Sequence, residues 1–419
     1  MVKQMESLTK TNNLVGLCRN ATNNDGDRFV GIRVDTDKIE VCFPIGYHLP
    51  ETDDEARNDI YSLIRVLSEF SPNKSSKLHL RGIETDSDIS FPIDAYLEII
   101  RYYLEHHSYY HEKEPLFKTS DRGKTDWNRT IKNKKPIIQS NGSPIYLDRI
   151  VRLSTPKDNQ FITEIHKYCV FESFQKIGWL FTKYTPERSS YRIEPKSAIM
   201  ELKTKLSQTN NDKTRRLFSS MISMLSYTDK NTNKHQAYFG TDNFEYVWEK
   251  LVDRIFGISD KELFFPKASW TIRDAHCRTF EALYPDTIMS VDGELYVLDA
   301  KYYRYGVTGN IFHLPEGSSI HKQITYGEYI GSNQKFVNLK TGEHPTVYNA
   351  FLLPFDSLKA EKHVFYNFGE ATGEWKTQEL AYETVQGILV DTKYAIKNYT
   401  GNNHQKKNAL AGIIREHTN

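Results

Sequence analysis

Cysteine is scarce and scattered in this chain. Cys18, Cys42, Cys169 and Cys277 are its only four in 419 residues, and no two form a CxxC pair. That spacing argues against a zinc ribbon or a disulfide framework and favours a reducing, cytoplasmic setting. No apolar run approaches the ~20 residues of a membrane-spanning helix. The N-terminus has no signal-like pattern and mean hydropathy is −0.60, so a soluble intracellular protein with no membrane partner is expected. A surplus of charge is missing too: the net charge is only +1. Global basicity is thereby removed as a source of nucleic-acid affinity, and local patches are left to supply it. Two familiar patterns each fail by one residue. Gly123-Lys124-Thr125 would complete a P-loop only with glycine at 118, where Lys118 stands. His107 and His111 lie four apart on an expected helix, but Ser108 replaces the glutamate of HExxH. The chain is therefore not expected to hydrolyse nucleotide itself or to hold zinc there. Internal repeats are absent as well.

What the sequence does have is concentrated between residues 284 and 305, YPDTIMSVDGELYVLDAKYYRY. Asp292-Gly293 predicts a two-residue hairpin turn, because a type I′ turn needs positive φ at both central positions. Val291 then pairs with Glu294, and Asp286 falls directly opposite Asp299. Facing carboxylates about 5 Å apart destabilise a sheet unless something compensates, and a divalent cation is the obvious compensator. Asp299 and Lys301 project to one side of the strand while Ala300 points away, its small side chain leaving the backbone carbonyl approachable. Leu295 to Leu298 are apolar on both faces, as in a strand buried on both sides. A Pro-Asp turn and an Asp-x-Lys strand end are each common. Here the hairpin register itself brings the three charged groups together, in the PD…(D/E)xK pattern of metal-dependent nucleases.

Such a site suits phosphodiester hydrolysis. Mg²⁺, or Mn²⁺, held by Asp286, Asp299 and the Ala300 carbonyl would neutralise phosphate charge and polarise water. Lys301 would orient that water, assist its deprotonation or stabilise the developing charge. Upstream, residues 244–257 carry apolar positions at amphipathic-helix spacing, with Gly257 as a stop. Glu249 borders that stripe, either as a third acid on the metal or as a solvated flank. Downstream, a helix over 321–329 places Gln323 and Tyr326 on one face, either to hold a phosphate and orient Lys301 or to cap and pack the helix.

The length predicts two or three domains and an α/β, multidomain fold. Residues 1–150 read as an N-terminal α+β domain for docking DNA or a partner. It contains a hairpin over 29–34 and 38–43 around Asp35-Thr36-Asp37, and helices over 51–70 and 92–110. Residues 151–240 read as a mainly helical connecting region. Residues 241–419 read as a PD-(D/E)xK restriction-endonuclease-like core, with strands near 263–272, 346–354, 362–368 and 387–392, a helix over 394–399 and a final helix or loose tail over 405–419. The densest basic stretch is 113–135, with eight Lys/Arg against three acids. Interleaved with Phe117 and Trp127, it is either a phosphate-contacting loop carrying Lys124, Arg129, Lys132, Lys134 and Lys135 or a solvated loop. The 26 tyrosines and 22 phenylalanines serve stacking or, more simply, a core.

Several of these residues form a larger pattern. Phe43-Pro44-Ile45-Gly46-Tyr47 ahead of Arg57-Asn58-Asp59-Ile60, the run Gly123-Lys124-Thr125-Asp126-Trp127-Asn128-Arg129-Thr130, Trp248-Glu249, and Pro285-Asp286…Asp299-Ala300-Lys301…Gln323 together resemble the LlaJI-type restriction endonuclease family. That resemblance implies a McrC-related nuclease subunit of a prokaryotic restriction system that cuts duplex DNA. It also implies a separate McrB-like AAA+ GTPase partner, through which alone GTP would act, and a cognate DNA methyltransferase. The expected catalytic set is Asp286, Asp299, Lys301, Glu249 and Gln323. The DNA-contacting set is the basic residues above with Tyr326. Readings from other classes are a non-catalytic adaptor that stimulates an NTPase, and a repair or RNA-directed nuclease on the same core.

Overall fold

The computed structural model describes residues 13–34, 38–70, 91–156, 160–182, 184–230, 237–273, 275–339, 342–401 and 403–418. It divides into two compact units, Met1–Ser90 together with His235–Asn419, and Phe91–Lys234. Among the described residues no helix is long and apolar enough to cross a membrane. Cys42 and Cys169 are buried free thiols.

The first unit is built on a five-stranded mixed sheet in the order Thr287–Val291, Glu294–Ala300, Val347–Phe355, Thr384–Asp391, Phe365–Thr372. The first two strands form an antiparallel hairpin, the next two run parallel to Glu294–Ala300, and the last returns antiparallel at the edge. Asp292 and Gly293 carry φ of 53° and 86°, and Val291 pairs with Glu294. This is the type I′ hairpin expected from the Asp-Gly turn. The two inner parallel strands are buried almost throughout, as strands covered on both faces must be. Ile288, Leu295, Val297, Tyr326, Ile330 and Val347 form one core cluster between the hairpin and the Gly317–Ser332 helix. The Phe244–Phe256 helix buries Phe244, Val247, Trp248, Leu251, Val252, Ile255 and Phe256, and the His404–Glu416 helix closes the chain.

The described residues among 1–90 fall in one unit with the C-terminal residues and not with residues 91–150. They add the strands Cys18–Asn20, Val30–Val34 and Ile39–Phe43 to Ala237–Thr241 in a second sheet and pack against the five-stranded unit. The Ile45 amide donates to the Tyr302 hydroxyl at 2.8 Å, and Thr392 Oγ1 donates to the Ile45 carbonyl at 3.0 Å. Asp59, fully buried on the Asp53–Phe70 helix, pairs with Lys393 and Lys397 at 2.9 and 2.6 Å. Val34 and Ile39 pair as the 29–43 hairpin requires, while its tip, 35–37, lies outside the described residues.

The second unit holds the helices Ile93–His106, Phe161–Ile177, Pro195–Gln208 and Asp212–Lys230. A three-stranded antiparallel sheet joins them, with Ile150–Pro156 between Lys113–Thr119 and Lys124–Thr125. The division at residue 150 expected from the sequence thus falls within one unit. The helix expected over 92–110 stops at His106, since His107 turns left-handed at φ 48°, so His107 and His111 share no helix. The strand expected over 263–272 is shorter as well. Lys261–Phe264 is a 3-10 turn, and Pro266, which has no amide to donate, delays the strand to Lys267–Ile272.

Candidate active site

Two hairpin strands and a neighbouring helix set the acids. Asp286 stands just before the first ladder pair, Thr287 with Leu298, so continuing the register places it across from Asp299. Its Oδ2 accepts from the Ala300 amide at 3.0 Å. Asp299 and Lys301 share the strand face of Leu295 and Val297, and Lys301 Nζ lies 2.9 Å from Asp299 Oδ2 with both side chains largely buried. Trp248 then brings the neighbouring helix to this level. Its indole donates to the carbonyl of Leu352, the ladder partner of Ala300, and the next residue, Glu249, is near enough for its charge to bear on Asp286 and Asp299.

The electrostatics follow from crowding acids in a poorly solvated place. Burial, a hydrogen bond with Asp299, and the charges of Asp299 and Glu249 push Asp286 up to about 8, against the opposing Ala300 amide. Glu249 is raised by burial and then by the Asp299 charge. For Lys301, burial favours the neutral amine, but the adjacent Asp299 outweighs it and the ammonium is held above its ordinary value. Among the described residues no three His, Cys, Asp or Glu side chains form a ready-made metal-ligand group. The acids converge as a pair, Asp286 with Asp299, and Glu249 acts on them through its charge. Two facing carboxyl groups, hard oxygen donors once Asp286 has lost its proton, fit a Mg²⁺ or Mn²⁺ ion, which keeps several waters and needs few protein carboxylates.

Other expected residues have different surroundings. Gln323 is 1 % exposed, and its amide nitrogen donates to the Val297 carbonyl at 2.6 Å. It braces the Asp299 strand two residues upstream of the acid. Tyr326 packs in the core cluster at 2 % exposure, which leaves it no side-chain surface for DNA. Lys124, Arg129, Lys132 and Lys135 are exposed, whereas Lys134 is half-buried near Asp148. Arg129 lies over the Phe117 ring at 3.8 Å. All five belong to the unit that does not carry the acids.

Sequence reasoning missed Asp253 and Lys261. Lys261 Nζ donates to the Asp286 carbonyl and pairs with Asp253, each at 2.7 Å. Both line a pocket of about 260 Å³ with Glu249, Tyr284, Pro285 and Asp286. The one signal for Asp253 was its place one turn after Glu249 on the same helix flank. Lys261 lies beyond the helix stop, where periodicity carries no information.

The sequence profile of the LlaJI restriction endonuclease family matches residues 29–375 of the chain. No curated protein matches it. Among solved structures the chain is similar to one in the refined half-complex from the tetradecameric assembly of Thermococcus gammatolerans McrB AAA+ hexamers with bound McrC. Identity there is 13 %, the TM-score is 0.36, and the match covers 92 % of this chain and 83 % of the other.

Proposed function

Because the chain belongs to the LlaJI restriction endonuclease family, we propose that it is the Mg²⁺-dependent DNA endonuclease subunit of a prokaryotic restriction system. Its five-stranded sheet then serves as a PD-(D/E)xK core, and a separate McrB-like AAA+ GTPase is its motor. The observation that carries this reading is the convergence of Asp286, Asp299 and Lys301 at the end of a buried hairpin. Asp286 and Asp299 are the residues that would hold the metal. When bound, the ion supplies neutralisation of the scissile phosphate and a polarised water.

The remaining work falls to side chains already in place. Lys301, kept charged by Asp299, donates hydrogen bonds to oxygen that gains negative charge and does not act as a base in this state. Gln323 and the Ala300 amide fix the strand and the Asp286 carboxylate. The proton that burial and the neighbouring acids keep on Asp286 must leave before both carboxylates can serve a cation.

Substituting Asp299→Ala or Lys301→Ala is expected to lower duplex-DNA cleavage by at least about 10²-fold, with the melting profile preserved. The assay is run with the motor, GTP and Mg²⁺ present, and GTP hydrolysis is followed separately. Wild-type cleavage by Asp299→Ala would refute the site, and it would leave the adaptor reading in its place.

A further inference from the structure

We infer that Lys261, tethered by Asp253, is a positioning residue that sets where the Asp286 carboxylate stands; the inference rests on the nuclease reading of this site. Asp286 precedes the first ladder pair of its strand, so the sheet alone does not fix its main chain. Two contacts do that work. The Ala300 amide holds one carboxylate oxygen at 3.0 Å, and Lys261 Nζ holds the carbonyl at 2.7 Å.

The lysine is itself held. Asp253 Oδ1 lies 2.7 Å from its ammonium and accepts from Thr287 Oγ1 at 3.3 Å. Thr287 is the residue immediately after Asp286, so the ammonium holds the Asp286 carbonyl while the carboxylate that tethers it also holds the side-chain hydroxyl of the next residue. The loop between them is sewn to the same strand, with the Ile258 amide donating to the Ile288 carbonyl at 2.9 Å. Gly257 allows the turn. A Cβ there would stand 2.4 Å from the Asp253 carbonyl oxygen and 2.6 Å from Oδ1, so a larger residue would displace the tether. An ordinary surface ion pair would not need a glycine, a threonine and a main-chain acceptor arranged around it, and would contribute little.

The consequence is specific to metal affinity. Partners that orient ligands, without touching the ion, typically change binding by about 10–100-fold when removed. The test measures Mn²⁺ binding to the full chain by electron paramagnetic resonance, beside the Mg²⁺ dependence of cleavage with the motor present. Lys261→Met is expected to weaken Mn²⁺ binding at least about tenfold and to shift half-saturating Mg²⁺ by the same factor. Cleavage at saturating Mg²⁺ is expected to stay near wild type, and Lys261→Arg, which keeps the charge and the donors, to recover most of the affinity. Should Lys261→Met fail to fold, Asp253→Asn reads the same tether and is expected to shift affinity in the same direction. Wild-type Mn²⁺ affinity in either folded variant, or no recovery in Lys261→Arg, would overturn the inference. If Asp299→Ala is inactive while Lys261→Met binds Mn²⁺ normally, only the role of Lys261 falls; if Asp299→Ala cuts normally, the nuclease reading falls first.

Discussion

Asp286 carries a proton at a pH where an ordinary carboxylate, with a pKa of about 4, has lost it. The cause is local: burial and two neighbouring acids outweigh the single Ala300 amide, and the group rises to about 8. The hydrogen bond and charge of Asp299 add to burial in holding that proton on Asp286. The sign for stability follows from linkage. Between the two values the folded protein binds a proton that the unfolded chain has released, so metal-free stability falls as pH rises through that window. Below it the contribution is fully present, and above about pH 8 it is lost. Divalent cations reverse the trend, because they bind the deprotonated pair. Thermal melts of wild type and Asp286→Asn from pH 5 to 9 check this, the asparagine variant serving to cancel every other titration. Wild type is expected to lose stability relative to the variant as pH rises, and to gain more from Mg²⁺ at pH 8 than at pH 6. Parallel pH profiles for the two proteins would exclude a site proton on Asp286.

Single elements of this fold are legible where short-range rules decide them. The Asp292-Gly293 turn determines a two-residue hairpin and, through it, the register that sets Asp286 across from Asp299, because side chains on a ladder have no freedom to drift. The Phe244–Phe256 helix is legible for a similar reason: its apolar stripe is continuous, and glycine ends it. What the elements pack against is not local information. Nothing in the periodicity of residues 29–70 says that they join the far end of the chain. That depends on Ile45 meeting Tyr302 and Thr392, and on buried Asp59 meeting Lys393 and Lys397, over 250 residues away. Lys261 escaped notice on the same ground, since its partner on the Asp286 main chain is defined only once the loop after Gly257 has doubled back. Gly46 marks the junction. Its φ is +71°, and a Cβ there would fall 2.7 Å from the Phe355 Cα, at the end of an inner strand. Gly46→Ala is expected to destabilise the protein by roughly 1–3 kcal/mol through left-handed strain alone, and by more from the backbone clash. Chemical denaturation measures it; an unchanged midpoint would mean that the junction contributes nothing.

At the scale of the whole chain, charge and chemistry are separated. The net charge is +1, the acid pair lies in one compact unit, and the basic 113–135 stretch lies in the other, with Lys124, Arg129, Lys132 and Lys135 exposed. A near-neutral protein draws little nonspecific affinity from a polyanion, so binding to DNA through a few phosphate contacts would be weak at physiological salt and would fall further as salt rises. The P-loop pattern fails at Lys118, and the proposed function assigns nucleotide hydrolysis to a separate motor chain. The purified chain alone is therefore expected to cut duplex DNA weakly or not at all at physiological salt, and to cut it when the cognate AAA+ GTPase and GTP are added. Lys132→Glu with Lys135→Glu reverses two exposed charges in the unit that does not carry the Asp286–Asp299 pair. It is expected to lower association with DNA or with the motor by tenfold or more, on the order of 1 kcal/mol per charge reversed, while Mn²⁺ binding at Asp286 and Asp299 stays at the wild-type level. Titrating the variant separately against duplex DNA and against the motor identifies which engagement the basic stretch serves. Unchanged binding to both would remove the stretch from either role. Robust site-specific cutting by the chain alone, without nucleotide, would refute the motor dependence and leave the acid pair as the nuclease centre.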